Sequence, residues 1–136
     1  MVKLIMGLPG SGKTKTLISL VNEAAQNESG SVVCIERSKN LTYDISRQVR
    51  LVSADEFGIN SNELLQGFLT GLHAGNYDIT KVFIDGFFKI LNDRSDAAVE
   101  KFLNWLDAYS TREGIDFTIS VSADPAAASE GIRKFI

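Results

Sequence analysis

Residues Gly7-Leu8-Pro9-Gly10-Ser11-Gly12-Lys13-Thr14 constrain this chain more than any other stretch. A short apolar run (Val2, Leu4, Ile5, Met6) precedes them, and a segment with helical periodicity follows. Strand, glycine-rich loop and helix in that order, with the spacing G-x-x-x-x-G-K-[ST], read as a phosphate-binding loop. Glycine at 7, 10 and 12 lets the backbone take conformations in which its N–H groups curl round phosphate oxygens. The helix N-terminus adds unpaired N–H donors and a partial positive charge. Lys13 supplies a point charge for the β- and γ-phosphates, and the Thr14 hydroxyl is placed to ligate Mg²⁺. Pro9, Ser11 and Lys15 complete the expected nucleotide contacts.

With 136 residues the chain has the size of one domain, residues 1–136, able to bury a core of its own. Hydrophobic residues make up 44% and charged ones 23%, ordinary proportions for a globular protein. A net charge of −3 argues against a broadly basic nucleic-acid face. Cys34 and His73 are the only residues of their kinds, which excludes an internal disulfide, a cysteine cluster and a multi-histidine metal site. No apolar run approaches the ~18 residues of a membrane span, and no signal peptide is visible. The expected compartment is the cytoplasm, with no membrane partner.

Along the chain, residues 2–6 have the pattern of a buried strand, and Leu17, Ile18, Val21, Ala24 and Ala25 give residues 13–26 one apolar helical face. A second strand is expected at 31–35, ending in Glu36-Arg37, with Cys34 as a small core residue. Residues 37–47 are polar and slightly short for a helical crossover, which predicts a loop or a hairpin excursion before a strand at 48–53. Asn60 and Glu63 look like the capping pair of a helix running to Ala74, with His73 near its end in a surface or helix-terminus role. A strand at 81–85 ends in Asp85, whose carboxylate can hold Mg²⁺ opposite Thr14. Phe87-Phe88 follows as a pair expected to be buried. Asp93 or Ser95 caps a helix from 96 to 111, residues 115–121 form the last strand, and 126–136 read as a short helix or docked tail.

This order predicts an α/β sheet, mostly parallel, with helices on both faces. Ligands of such sheets bind beyond the carboxyl ends of the strands. Residues 7–14, Glu36, Asp85 and Ser122 to Asp124 all fall at those ends and should share one rim.

With these residues placed, the chain resembles the P-loop NTPase superfamily over nearly its whole length. More closely, it resembles short stand-alone bacterial P-loop proteins labelled ATP-binding, or named after twitching-motility retraction ATPases. The matching stretches are Val33 to Glu36, Leu41 to Ile45, Val82 to Asp85 and Val121 to Pro125. The resemblance implies a three-layer α/β/α P-loop fold with a five-stranded sheet, and ATP and Mg²⁺ as cofactors. The order of elements also resembles type II thymidine kinases and the RecA-like core. Those kinases carry a Glu directly after the strand-ending Asp and a cysteine-rich zinc lobe, whereas this chain has Gly86 there and Cys34 alone. RecA-like enzymes place a base on the strand after the first helix, and Glu36 falls near that position.

Hydrolysis needs a group within hydrogen-bond reach of the attacking water. Glu36 is the first candidate, on a strand expected beside the loop; Asp55-Glu56 and Asp124 follow, and Ser122 could sense the γ-phosphate. Arg37, Arg94, Arg112 and Arg133 are equal candidates for an arginine finger. The expected activity is slow Mg²⁺-dependent ATP hydrolysis, with Lys13, Glu36 and Asp85 carrying it and Thr14 and Asp85 on the metal. A small-molecule or nucleoside kinase, and a nucleotide-dependent sensor that assembles with itself or a protein partner, are the alternatives.

Overall fold

The computed structural model describes residues 1–136. Five strands, β1 (Val2–Gly7), β2 (Ser31–Glu36), β3 (Arg50–Ser53), β4 (Ile79–Ile84) and β5 (Asp116–Ser122), form one sheet. Its order is β1-β5-β4-β2-β3, and every neighbouring pair is parallel. Parallel strands need crossovers, so the chain supplies helices α1 (Lys13–Asn27), α2 (Asn62–Gly75), α3 (Phe87–Ile90), α4 (Asp96–Glu113) and α5 (Glu130–Arg133). The result is a three-layer α/β/α domain. None of its helices is long and apolar enough to cross a membrane.

Two apolar clusters lie on opposite faces of the sheet. Leu17, Val21 and Ala24 of α1 pack on Val32, Cys34 and Phe83, together with Leu41, Ile45 and Val49. The larger cluster joins Leu65 and Leu69 of α2 and Val99, Phe102, Leu103, Leu106 and Tyr109 of α4 to Leu4, Ile35, Ile84 and Ile119. Alternate residues of a strand face opposite sides, which is how Cys34 and Ile35 reach different cores. Each crossover that moves the chain from β1 toward the β3 edge passes on the α1 face. Those that move it back pass on the α2/α4 face. A single crossover hand requires this alternation.

Several expectations are corrected here. Residues 37–49 form the loop, one of the two expected forms, and not the hairpin: they cross to β3, parallel to β2, as irregular turns. Buried Leu41, Ile45 and Val49 anchor this crossover beside α1. Strand β3 starts at Arg50 rather than Gln48. The cap of α2 is Ser61, not Asn60; its hydroxyl accepts from the Leu64 N–H at 3.1 Å. His73 lies in the last turn of α2, as the helix-terminus reading has it, but not on the surface: it is 7% exposed and packs edge-on against Tyr77 and Tyr109. Ser95 rather than Asp93 caps α4, while Asp93 accepts from the Ser95 N–H. The docked tail is present. Its Phe135 carbonyl accepts from the Leu4 N–H at 2.7 Å and so covers the free edge of β1.

Candidate functional site

Because all five strands run the same way, β1, β2, β4 and β5 end on one rim, at Gly7, Glu36, Ile84 and Ser122. The glycine-rich loop leaves β1 there and enters α1 through Gly12, whose φ of 85° belongs to the left-handed region that favours glycine. Gly12 gives α1 no side-chain cap, so the first N–H groups of the helix stay open to a ligand. The loop folds back closely on Gly7, where a Cβ would run into the Ser11 hydroxyl and lie 3.2 Å from Ser11 Cβ. Lys13 Nζ folds over the same loop, donating to the Leu8 carbonyl at 3.0 Å and toward Ser11 Oγ at 3.4 Å.

Asp85 follows β4, and its Oδ1 accepts from two hydroxyls: Thr14 at 3.2 Å and Ser120 at 2.8 Å. Thr14 comes from the first turn of α1 and Ser120 from β5, the strand between β1 and β4. The Ser120 hydroxyl also accepts from the Gly86 N–H at 2.8 Å and thereby fixes the chain just past the carboxylate. Gly86 itself has φ 65°, so the position after Asp85 is a backbone turn where a side chain would be strained. Sequence reasoning missed Ser120. Its signal in the sequence is weak, because hydroxyls recur at Thr118, Ser120 and Ser122 of this strand; what singles out Ser120 is its 2% exposure, since a buried polar side chain must find a partner.

Glu36 lies elsewhere than expected. Its strand is not beside β1; β5 and β4 stand between them. The side chain is 3% exposed, and its two oxygens accept from the Asn40 N–H at 2.9 Å and the Leu41 N–H at 3.2 Å. Burial pushes its pKa above the ordinary value, the two backbone N–H groups pull it down, and the charge of Asp85 adds to the rise. Glu36 therefore folds the turn that follows its own strand while facing Asp85. Two residues before Glu36, Cys34 is sealed in the core, its thiol pushed up to about 12 by burial and then by the charges of Asp85 and Glu36. It is inert packing.

The other candidates scatter. Arg37 pairs with Asp55 at 3.8 Å, and Lys39 pairs with Glu56. Asp124 caps a turn through the Ala126 N–H, and Arg133 holds the tail carbonyls of Ala126 and Ala128. Arg112 lies over the Tyr109 ring, 5.3 Å from its centroid. Ser122 is exposed, paired in register with Gly7, and Lys15 is exposed on the first turn of α1.

Chemically, the rim offers a ring of backbone N–H donors with one lysine, next to a hydroxyl–carboxylate pair. Oxygen donors of this kind suit Mg²⁺, which keeps most of its shell as water and phosphate oxygen. No group of three or more His, Cys, Asp or Glu side chains converges anywhere, so the residues do not form an all-protein metal cage. The family models and the curated proteins contain no match to this chain.

Proposed function

We propose that the rim binds a nucleoside triphosphate with Mg²⁺, ATP by the resemblance of the loop, and hydrolyses it slowly. The observation that carries this reading is the 3.2 Å hydrogen bond from Thr14 to Asp85. It joins the loop hydroxyl to the strand-end carboxylate across 71 residues of sequence, and those are the two groups that the chemistry of an Mg²⁺-bound phosphate requires.

In this reading the loop N–H groups and the α1 N-terminus bind phosphate oxygens, and Lys13 leaves the Leu8 carbonyl to neutralise phosphate charge. Thr14 and Asp85 hold the metal, which when bound offsets the charge of the phosphates. Ser120 keeps Asp85 oriented toward Thr14. Glu36 is the second carboxylate on this side of the sheet and the candidate for orienting water. Both its oxygens are already engaged by backbone N–H groups, which fits slow turnover rather than fast.

Single-turnover conversion of labelled Mg-ATP tests the reading. Wild type is expected to bind and to release phosphate, with binding weakened by about 100-fold in Lys13→Ala, the loss of one or two charge-assisted hydrogen bonds. Unchanged binding in that variant would reject the loop assignment. Binding without any phosphate release would leave the nucleotide site standing and remove the hydrolysis.

A further inference from the structure

The sheet has a second crevice at its rim. At the β1/β5 boundary, β1 exits toward the α1 face and the tail after β5 exits toward the α4 face, and the glycine-rich loop sits there. At the β4/β2 boundary the exits diverge again. Residues 37–49 pass on the α1 face, and Phe87 and Ile90 of α3 pack on the α4 face. Such divergence opens a crevice in which α/β proteins bind ligands.

A cleft of about 380 Å³ occupies this second boundary, a volume within the range of small-molecule sites. No hydrophobic residue lines it; Glu36, Asp85 and the cations Arg37, Lys89 and Arg94 do. Lys89 and Arg94 pair with no carboxylate, and Arg37 holds only a 3.8 Å contact to Asp55. Both walls are tied in place. On one side Glu36 holds Asn40 and Leu41, the Arg37 carbonyl accepts from the Asp55 N–H at 2.9 Å, and Ser38 donates to Asp55 at 2.8 Å. On the other, the Asn62 side chain accepts from the Asn92 and Asp93 N–H groups and donates to the Asp93 carbonyl. That clamp positions the segment carrying Arg94.

We propose that this cleft is a second ligand site, taking a phosphate-bearing small molecule that lies against Asp85 while the nucleotide occupies the glycine-rich loop. Two guanidinium forks and an ammonium match the oxygens of a phosphate group. Three cations outnumber the two acids, and the oxygens of Glu36 are turned onto backbone N–H groups. Asp85 belongs to both sites: it accepts from Thr14 on the loop side and lines the cleft on the other. The co-ligand role rests on the nucleotide reading, whereas the cleft itself does not.

The test is amide chemical-shift titration of the ¹⁵N-labelled protein with inorganic phosphate. It is run on nucleotide-free protein and on protein saturated with Mg²⁺ and a non-hydrolysable ATP analogue, with acetate at matched ionic strength as control. Phosphate is expected to move the amides of Ser38, Gly86, Lys89 and Arg94 in the analogue-loaded protein, acetate not. The Lys89→Ala/Arg94→Ala variant, both positions being exposed, is expected to weaken phosphate by at least ~10-fold while its spectrum stays dispersed. Equal shifts with acetate, full affinity in the double variant, or loss of the response on loading the analogue would each overturn the proposal. The last outcome would assign the cations to the nucleotide itself. Failure of the analogue to bind, with phosphate still moving the four amides in the nucleotide-free protein, would sink the nucleotide reading and with it the co-ligand role, leaving a phosphate site alone.

Discussion

Asp85 and Glu36 end two neighbouring parallel strands, yet different parts of the molecule hold them. The donors to Asp85 are hydroxyls 71 and 35 residues away in sequence, on α1 and β5. The donors to Glu36 are backbone N–H groups four and five residues downstream. An acid held by its own next turn belongs to local structure, as a helix cap does. An acid held by side chains gathered from distant elements marks a place where the fold itself assembles polar groups. Only the second kind explains why three separate elements meet at one carboxylate.

Substitutions can break this comparison, beginning with the largest expected effect. Asp85→Asn removes the charge facing Thr14, and is expected to weaken Mg-ATP by about 100-fold in calorimetric titration with little change in melting temperature. The matching change on the other side, Glu36→Ala, leaves the Asn40 and Leu41 N–H groups without acceptors. It should cost about 2 kcal/mol or more in urea unfolding, with nucleotide affinity nearly unaltered. If both variants lost affinity and kept stability, the two acids would be doing the same work.

Smaller effects sharpen it. Ser120→Ala takes away the hydroxyl that donates to Asp85 and accepts from Gly86, and is expected to lower both stability, by about 1–2 kcal/mol, and Mg-ATP affinity, by about tenfold. A stability loss with unchanged affinity would show that Asp85 needs no orienting. Glu36→Gln should reduce single-turnover hydrolysis by less than about tenfold, below the ~100-fold at which general acid–base contributions begin, because its oxygens are already engaged. A much larger drop would make Glu36 the base.

The smallest effect is in the pH dependence. Burial raises the Glu36 pKa in the folded state, so the native protein holds that proton more tightly than the unfolded chain does. Its contribution to stability is fully present below the ordinary glutamate value of about 4.3 and is lost as pH rises through the raised one. The stability of wild type relative to Glu36→Gln should therefore fall as pH rises across that window. A difference that is flat with pH would show that folding leaves the Glu36 pKa unshifted.

The loop at 7–14, the apolar stripes of α1, α2 and α4, the five strands and the acid at 85 could all be read from the chain. Each is written in a local pattern: glycine spacing, helical period, a β-branched run closed by a polar residue. Even the errors of local reading were small, such as Ser61 in place of Asn60 as the cap of α2, a shift of one residue.

What local pattern could not supply is the strand order. Ser31–Glu36 and Asp116–Ser122 are equally good buried strands, and nothing within either says which lies beside β1. Crossover hand and the fit of two apolar faces decide that, through contacts far apart in sequence. The tertiary structure inserted β5 between β1 and β4, which put Ser120 under Asp85 and carried Glu36 three places from the loop. It turned His73 inward against two tyrosines and opened the polar cleft between the β4 and β2 ends. The sequence by itself determined a glycine-rich loop with the spacing of a phosphate-binding loop and the elements of a parallel sheet, because those follow from neighbours along the chain. Which groups face that loop was decided only in three dimensions, by burial shared among strands that the sequence keeps apart.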